Sequence, residues 1–485
     1  MPSNLVVRVK ASSPEIQEGL AAIAAELDLP AGFPAEVTAA AERAADEVVL
    51  PELDRTDLPF LTIDPEGSMD LDQALHLERG RPGDKDSGYV VHYAIADVAA
   101  FVRPGDPVDV EANRRGETLY GAGTRIPLHP PVLSEDAASL LPDQVRPALL
   151  WTIRLDATGA QVDVRVERAR VRSTARWSYV EAQRALDDGT AGPGTEVLEL
   201  LREIGRLREQ QEVARGGISL PLPEQEVDET DGGFQLVFRE QLPVELWNAQ
   251  ISLLTGMAAA SLMAGARVGM LRTLPPADPR DVARLRRVAK GLRISWPQDM
   301  DYPAFVRSLD PEVSQHQAMV VACTRLLRGS GYAAFDGELP EQSRHSAIAA
   351  EYAHVTAPLR RLGDRYAGEI CLAICAGTPV PDWVSAALPG LPKVLQDSAS
   401  RAGSYERAVL DLIEAAVLAD RVGKEFDGVV TSVRDDELTT GVVVLAEVGV
   451  EAPVTSEQPL PLGEDVTVTL ATADLATRKV AFTLP

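Results

Sequence analysis

The stretch Leu61-Thr62-Ile63-Asp64-Pro65-Glu66-Gly67-Ser68-Met69-Asp70-Leu71-Asp72-Gln73-Ala74-Leu75 decides how this chain is read. Its opening apolar residues extend from Phe60 and predict a strand. Pro65 to Ser68 supply turn chemistry that folds Asp64 back toward the later pair. Asp70 and Asp72, two apart in extended chain, project from one face. Three carboxylates brought together repel unless a cation neutralises them, and hard oxygen donors of this kind select Mg²⁺ or Mn²⁺. Aspartates also cap backbone amides in turns, so spacing alone leaves a metal site and a structural turn both open. The run is no EF-hand, because its acidic residues do not fall at alternate positions ahead of a glycine.

Working outward, the runs 60–63, 89–95 and 148–155 are rich in β-branched or aromatic residues and predict short strands. Helices follow. In 196–215, Val197, Leu200, Leu201, Ile204 and Leu207 form one apolar stripe that stops at Gly216-Gly217. Further helices are expected over 243–272, 279–292, 311–329, 364–376 and 399–421. Strands first and helices later, without strict alternation, predict an α+β fold. Residues 1–50 read as a small helical unit, opened by Ser13-Pro14-Glu15, that could form part of a helix-turn-helix or simply pack on its neighbour. Past Gly423 the pattern becomes five short alternating strands, as in a small OB-type barrel. Three domains are therefore expected: 1–50, 51–422 and 423–485.

The chain has 485 residues, and 47 Lys+Arg against 73 Asp+Glu give a net charge of −26. Hydrophobic content of 45% and charged content of 25% exclude wholesale disorder and a disulfide-knot scaffold. Cys323, Cys371 and Cys375 lack C-x-x-C spacing and read as reduced core residues. The opening MPSNLVVRVKASSPEIQ has no basic-then-apolar leader pattern, so a cytoplasmic location is expected. The uncharged window 246–266 is long enough to span a bilayer. Its Asn248, Gln250, Ser252 and Thr255 suit a buried helix better, and no membrane association is expected. Against the acidic total, arginines gather at Arg165–Arg176, at Arg280–Arg293, and at Arg360, Arg361 and Arg365. Each cluster suits a solvated face or a phosphate contact.

Four separated segments, LTIDPEGSMDLDQAL, VHYAIADVAAFV, DVEANRRGETLYGAGTRIPLHPPVLSEDAASLLPDQVRPAL and YAHVTAPLRRLGDRY, with SYERAVLD as a weaker fifth, resemble in order the catalytic RNB domain of the RNase II/RNase R family. The resemblance covers about Asp57 to Val422. It implies a processive 3′-to-5′ hydrolytic exoribonuclease that releases nucleoside 5′-monophosphates with the help of Mg²⁺, or Mn²⁺ in its place. By the same resemblance, Asp64, Asp70 and Asp72 would hold metal, Arg360 would contact the scissile phosphate, and Tyr120 would stack on the 3′-terminal base. Tyr179, Glu406 and Arg361 would lie along the RNA. A half-buried aromatic and an ordinary surface ion pair are equally ready accounts of the first two.

Three departures stand out. The family's fourth aspartate is Gln73, which is neutral and accepts no proton; an RNA-binding pseudonuclease is the alternative this raises. Leu220 replaces an aromatic partner for the terminal base. An acidic pair becomes Ala249-Gln250, leaving Gln250 to bond a ribose hydroxyl. His354 reads as structural, with Thr356 and Pro358 shaping the turn that presents Arg360. Fifty N-terminal residues are too few for the family's cold-shock barrels, so structured RNA with a 3′ tail is an expected substrate beside single-stranded RNA. The C-terminal barrel resembles an S1 domain. From Asp427 onward its only aromatic is Phe482 and its only basic residues are Arg434, Arg478 and Lys479. A spacer or lid therefore competes with an RNA platform. No obligate protein partner is implied.

Overall fold

The structure is a computed structural model. It describes residues 9–10, 13–80, 88–122, 124–189, 192, 194–220, 224–230, 233–239, 241–310, 313–434, 436–445 and 448–485. The architecture is α+β, two closed barrels joined by long helices.

Helix α1 (Pro14–Glu26) starts where the Ser13 side chain accepts from the Ile16 amide and Pro14 needs no partner. It buries Ile16, Leu20 and Ile23 in one apolar cluster, whereas α2 (Ala35–Asp46) buries Val37, Ala40 and Ala41 in another. The first barrel follows: β1 (Phe60–Asp64), β2 (Gln73–Arg79) and β3 (Tyr89–Ala96), then a hairpin of β4 (Leu119–Gly121) and β5 (Thr124–Ile126), then β6 (Val145–Leu155) and β7 (Gln161–Ser178). Strands pair in the order β1-β2-β3-β6-β7, and a parallel pairing of β1 with β7 closes the ring. Tyr93, Val91, Trp151 and Ile153 fill its apolar interior. Strand β7 absorbs the first arginine cluster, most of it in ion pairs: Arg168 with Asp97 and Glu369, Arg170 with Asp54, Arg165 with Glu167.

Helices α3 (Tyr179–Asp188), α4 (Thr195–Arg215) and α5 (Pro243–Ala266) pack on that barrel. The apolar window is a core helix: Trp247, Ile251, Leu254 and Ala258 of α5 are buried. The helix expected over 243–272 stops at Ala266, because Arg267 adopts φ 59° and ends it, and β8 (Val268–Thr273) begins at once. Next come α6 (Pro279–Gly291), α7 (Ser314–Cys323), β9 (Gly331–Asp336) paired with β8, α8 (Leu362–Ala376) and α9 (Leu391–Leu418). Helix α9 begins eight residues before the expected 399, since Pro392 occupies its first turn without breaking it.

The second barrel comprises β10 (Glu425–Val433), β11 (Thr440–Leu445), β12 (Val450–Ser456), β13 (Asp465–Asp474) and β14 (Lys479–Leu484), ordered β10-β11-β12-β14-β13. Val430, Val443, Val454, Leu470 and Phe482 form its core, which is continuous with residues of α1 and α9.

Candidate active site

Asp64 is the last residue of β1, and its pairing with Ser178 sets it at the barrel rim. One carboxylate oxygen, Oδ2, is buried without a partner. Burial pushes this carboxyl up to about 6; Asp70 adds repulsion, while Arg360 and Arg176 oppose the shift. Asp72, just ahead of β2, accepts the Leu359 amide at 2.8 Å and faces Arg360 Nε at 3.6 Å. Burial pushes it higher, to about 8, with Asp364 and Asp70 adding to the shift against Arg360 and the amide. Asp70 is 2.7 Å from Arg125 Nη1, and Arg125 also bonds Glu135. The loop carrying these acids is pinned by buried Ser139, which accepts the Leu71 amide at 2.9 Å and donates to the Met69 carbonyl at 2.7 Å.

The facing wall is the turn from Thr356 to Arg361. Asp364, in the first turn of α8, accepts the Ala357 amide at 2.7 Å and the Arg361 guanidinium at 2.7 Å. Arg361 is thus committed to shaping the turn, which leaves Arg360, 47% exposed, as the guanidinium facing outward. Gln73 ties the two walls together. Its Nε2 donates to the Thr356 carbonyl at 2.7 Å, and its Oε1 accepts from the Tyr93 hydroxyl. A shorter, donor-free aspartate could not make both bonds.

Tyr120 on β4 is 48% exposed, and its hydroxyl meets the Arg360 guanidinium. Tyr179 opens α3; its hydroxyl accepts from Asn248 at 3.3 Å and feels the charge of Asp64. The other three residues expected along the RNA have the following surroundings. Leu220 packs with Ile218 on the α6–α7 apolar cluster, where burial of its side chain is favourable. Gln250 donates its amide to Glu212 at 2.6 Å, leaving only a buried, unpartnered Oε1. Glu406 stands exposed on α9. His354 bonds the Tyr332 hydroxyl at 2.9 Å, and burial, with Arg361 and Arg272 nearby, holds it well below its usual range, as suits a structural residue.

Sequence reasoning missed Arg125, Ser139, Asp364 and an aromatic group in which Arg272 lies over Tyr332 at 4.6 Å. The Arg361-x-x-Asp364 spacing at a helix start was the one readable signal among them.

Among the described residues, no three acidic, histidine or cysteine side chains converge as a ready cation site. The expected three-aspartate cage is therefore not assembled, because Arg125 draws Asp70 and the Leu359 amide satisfies Asp72. The donor chemistry nevertheless fits a hard divalent cation. Asp64 offers a buried, unpartnered oxygen, and the two carboxyls that burial pushes up are those a nearby positive charge would return to the ionised form.

A closed barrel whose rim holds three aspartates opposite an arginine-bearing turn, followed by a second small barrel, defines the class of this protein. Comparison with known proteins then gives the family. The RNB domain model matches residues 53–374, and the RNase II-type exonuclease C-terminal S1 domain matches residues 424–484. The chain belongs to the RNB domain family. It is 28% identical to Exosome complex exonuclease RRP44 homolog A of Arabidopsis thaliana, covering 71% of this chain and 36% of that protein. It is 25% identical to Ribonuclease R of Escherichia coli, covering 94% of this chain and 60% of that protein. The chain thus spans between one third and two thirds of these relatives' length. Among solved structures, Mycoplasma genitalium RNase R in complex with ribose methylated single-stranded RNA superposes with a TM-score of 0.85 at 19% identity, over 97% of this chain and 78% of that one. Yeast Ssd1, a pseudonuclease, superposes at 0.70 and 15% identity, over 92% of this chain and 56% of that one.

Proposed function

We propose that this protein is a processive 3′-to-5′ exoribonuclease of the cytoplasm that hydrolyses single-stranded RNA, and structured RNA with a 3′ tail, to nucleoside 5′-monophosphates. The observation that carries the reading is the clamp between the two walls: the turn that presents Arg360 donates its Leu359 amide to Asp72. A phosphate drawn to Arg360 is thereby brought to the acidic rim. Mycoplasma genitalium RNase R, which shares the fold, has been seen with single-stranded and with double-stranded RNA.

In this account Arg360 binds the scissile phosphate through its planar fork and offsets charge that grows on it in the transition state. Tyr120 stacks on the terminal base, a contact of about 1–3 kcal/mol, and holds Arg360 by its hydroxyl. Tyr179, whose hydroxyl feels the charge of Asp64, would meet the RNA near the cleavage site. Asp64, Asp70 and Asp72 would hold Mg²⁺ or Mn²⁺, which supplies water activation and charge neutralisation when bound.

The second reading, an RNA-binding pseudonuclease, draws on Gln73 and on the likeness to Ssd1. Gln73 has both ends engaged in joining the walls, which gives its amide a structural use compatible with activity. Purified protein incubated with 5′-labelled RNA, with and without a 3′-terminal phosphate block, tests the reading. A ladder shortening from the 3′ end, with the block slowing its start, is expected. Shortening from the 5′ end, or internal cuts alone, would overturn it.

A further inference from the structure

A second cleft lies away from the acidic rim, where α6 and the turn after α7 meet the second barrel. Its cavity is about 190 Å³. One wall carries Arg284, Arg325 and Arg328, and the other carries Thr431 and Ser432 of β10. Among the described residues, no hydrogen bond or ion pair engages the Arg325 or Arg328 guanidinium. Burial and the charges of Arg284 and Arg328 hold Arg325 below its usual range, against the pull of Asp281. Thr431 supplies the independent observation. It sits at a bulge between Val430 and Ser432, lines the cleft, is 3% exposed, and its hydroxyl is buried with no hydrogen-bond partner. A bulge re-aims a side chain that regular pairing would fix, and an unmade buried hydrogen bond is costly unless a ligand makes it.

We infer that this cleft binds one phosphodiester of an RNA strand outside the active site, with the arginines gripping the phosphate and Thr431 donating to it. Charge selects the ligand. Arginines on one wall, with Asp281 and Glu451 nearby, favour an anion over a cation or a neutral group, and the phosphodiester is the anion that RNA presents. The inference rests on the RNA reading above. It also explains how a barrel with so few basic and aromatic residues of its own takes part in binding: the positive charge comes from the helices packed beside it.

The test is fluorescence anisotropy in EDTA, so that hydrolysis plays no part, using labelled RNAs of about 4 and about 20 nucleotides. In R284Q/R325Q/R328Q, affinity for the longer RNA should fall roughly tenfold or more, and the slope of log Kd against log salt should drop by about 0.7, the value for one single-strand phosphate contact. T431V should weaken the longer RNA a few-fold. The short RNA should be unaffected by either change. Unchanged affinity and slope for the longer RNA, or equal losses for both lengths, would overturn the inference. So would millimolar inorganic phosphate competing at this cleft without any effect of the variants on RNA, which would mark a free-anion site. If the wild type binds the longer RNA through these arginines yet releases no nucleotide, the nuclease reading alone has failed; hydrolysis with an unchanged salt slope fails this inference alone.

Discussion

The barrel β1-β2-β3-β6-β7 and the barrel β10-β11-β12-β14-β13 each close through one parallel pairing, β1 with β7 in the first and β12 with β14 in the second. Both fill their interiors with apolar side chains. They differ in what surrounds the ring. The first is flanked by buried charge, with Asp72 and Asp97 at strand ends and Asp364 and Glu369 on α8. Among the described residues of the second, Thr431 is the one buried polar side chain. Closure therefore supplies a scaffold, and chemistry enters only where strand ends meet a wall brought from distant sequence. The Leu359 to Asp72 bond joins residues 287 positions apart.

The sharpest way to break this contrast is Asp72→Asn. The amide keeps the shape and removes the charge, so nucleotide release should fall more than about 10³-fold while RNA affinity stays within a few-fold. Equal loss of binding would mean that Asp72 only holds the turn. Arg360→Lys should cost about 10²-fold in kcat with a smaller change in KM, because a lysine keeps the charge but not the planar fork. Single-turnover rates at saturating RNA separate the two effects.

Gln73→Asp addresses the strut between the walls. Loss of its bonds to Thr356 and Tyr93 should destabilise the protein by about 1–3 kcal/mol in urea and lower activity. A gain in activity would instead support the pseudonuclease reading and show that the fourth acid had been missing.

Acid should act mainly on the first barrel's surroundings. Burial, with Arg365 nearby, lowers His129 to about 3, whereas an unfolded histidine titrates near 6.5. Between these values the unfolded chain binds the extra proton, so stability falls as pH drops through the window. At pH 5 the cost is roughly 2 kcal/mol, at about 1.4 kcal/mol per unit below 6.5. Asp64 and Asp72, which burial pushes up, act in the opposite sense over the same range, so the His129 contribution is read as the difference between wild type and His129→Gln in urea melts at pH 7 and pH 5. A slope unchanged by that substitution would assign the acid sensitivity to other groups.

Much of the arrangement was legible in sequence. The acidic stretch, the strand before it, Arg360 and the alternating C-terminal strands all rest on local pattern, and pattern survives folding. Strand β7 escaped notice because its arginines, read as a surface cluster, alternate along a strand and pair across to Asp54, Asp97 and Glu369. Arg125 and Ser139 were unreadable for a related reason. Each acts on the acidic loop from more than 50 positions away, and nothing near them in the chain announces it. For Leu220, likeness gives a position in an alignment, and the fold adds that its side chain packs on the apolar cluster of α6 and α7.

The most direct test of the central claim is mononucleotide release from single-stranded RNA as Mg²⁺ or Mn²⁺ is titrated into metal-stripped protein. Release that rises with either cation, stops in EDTA, and is missing from Asp64→Asn at every concentration is the predicted result. No 5′-monophosphate under any metal condition, or equal release in EDTA, would contradict the account.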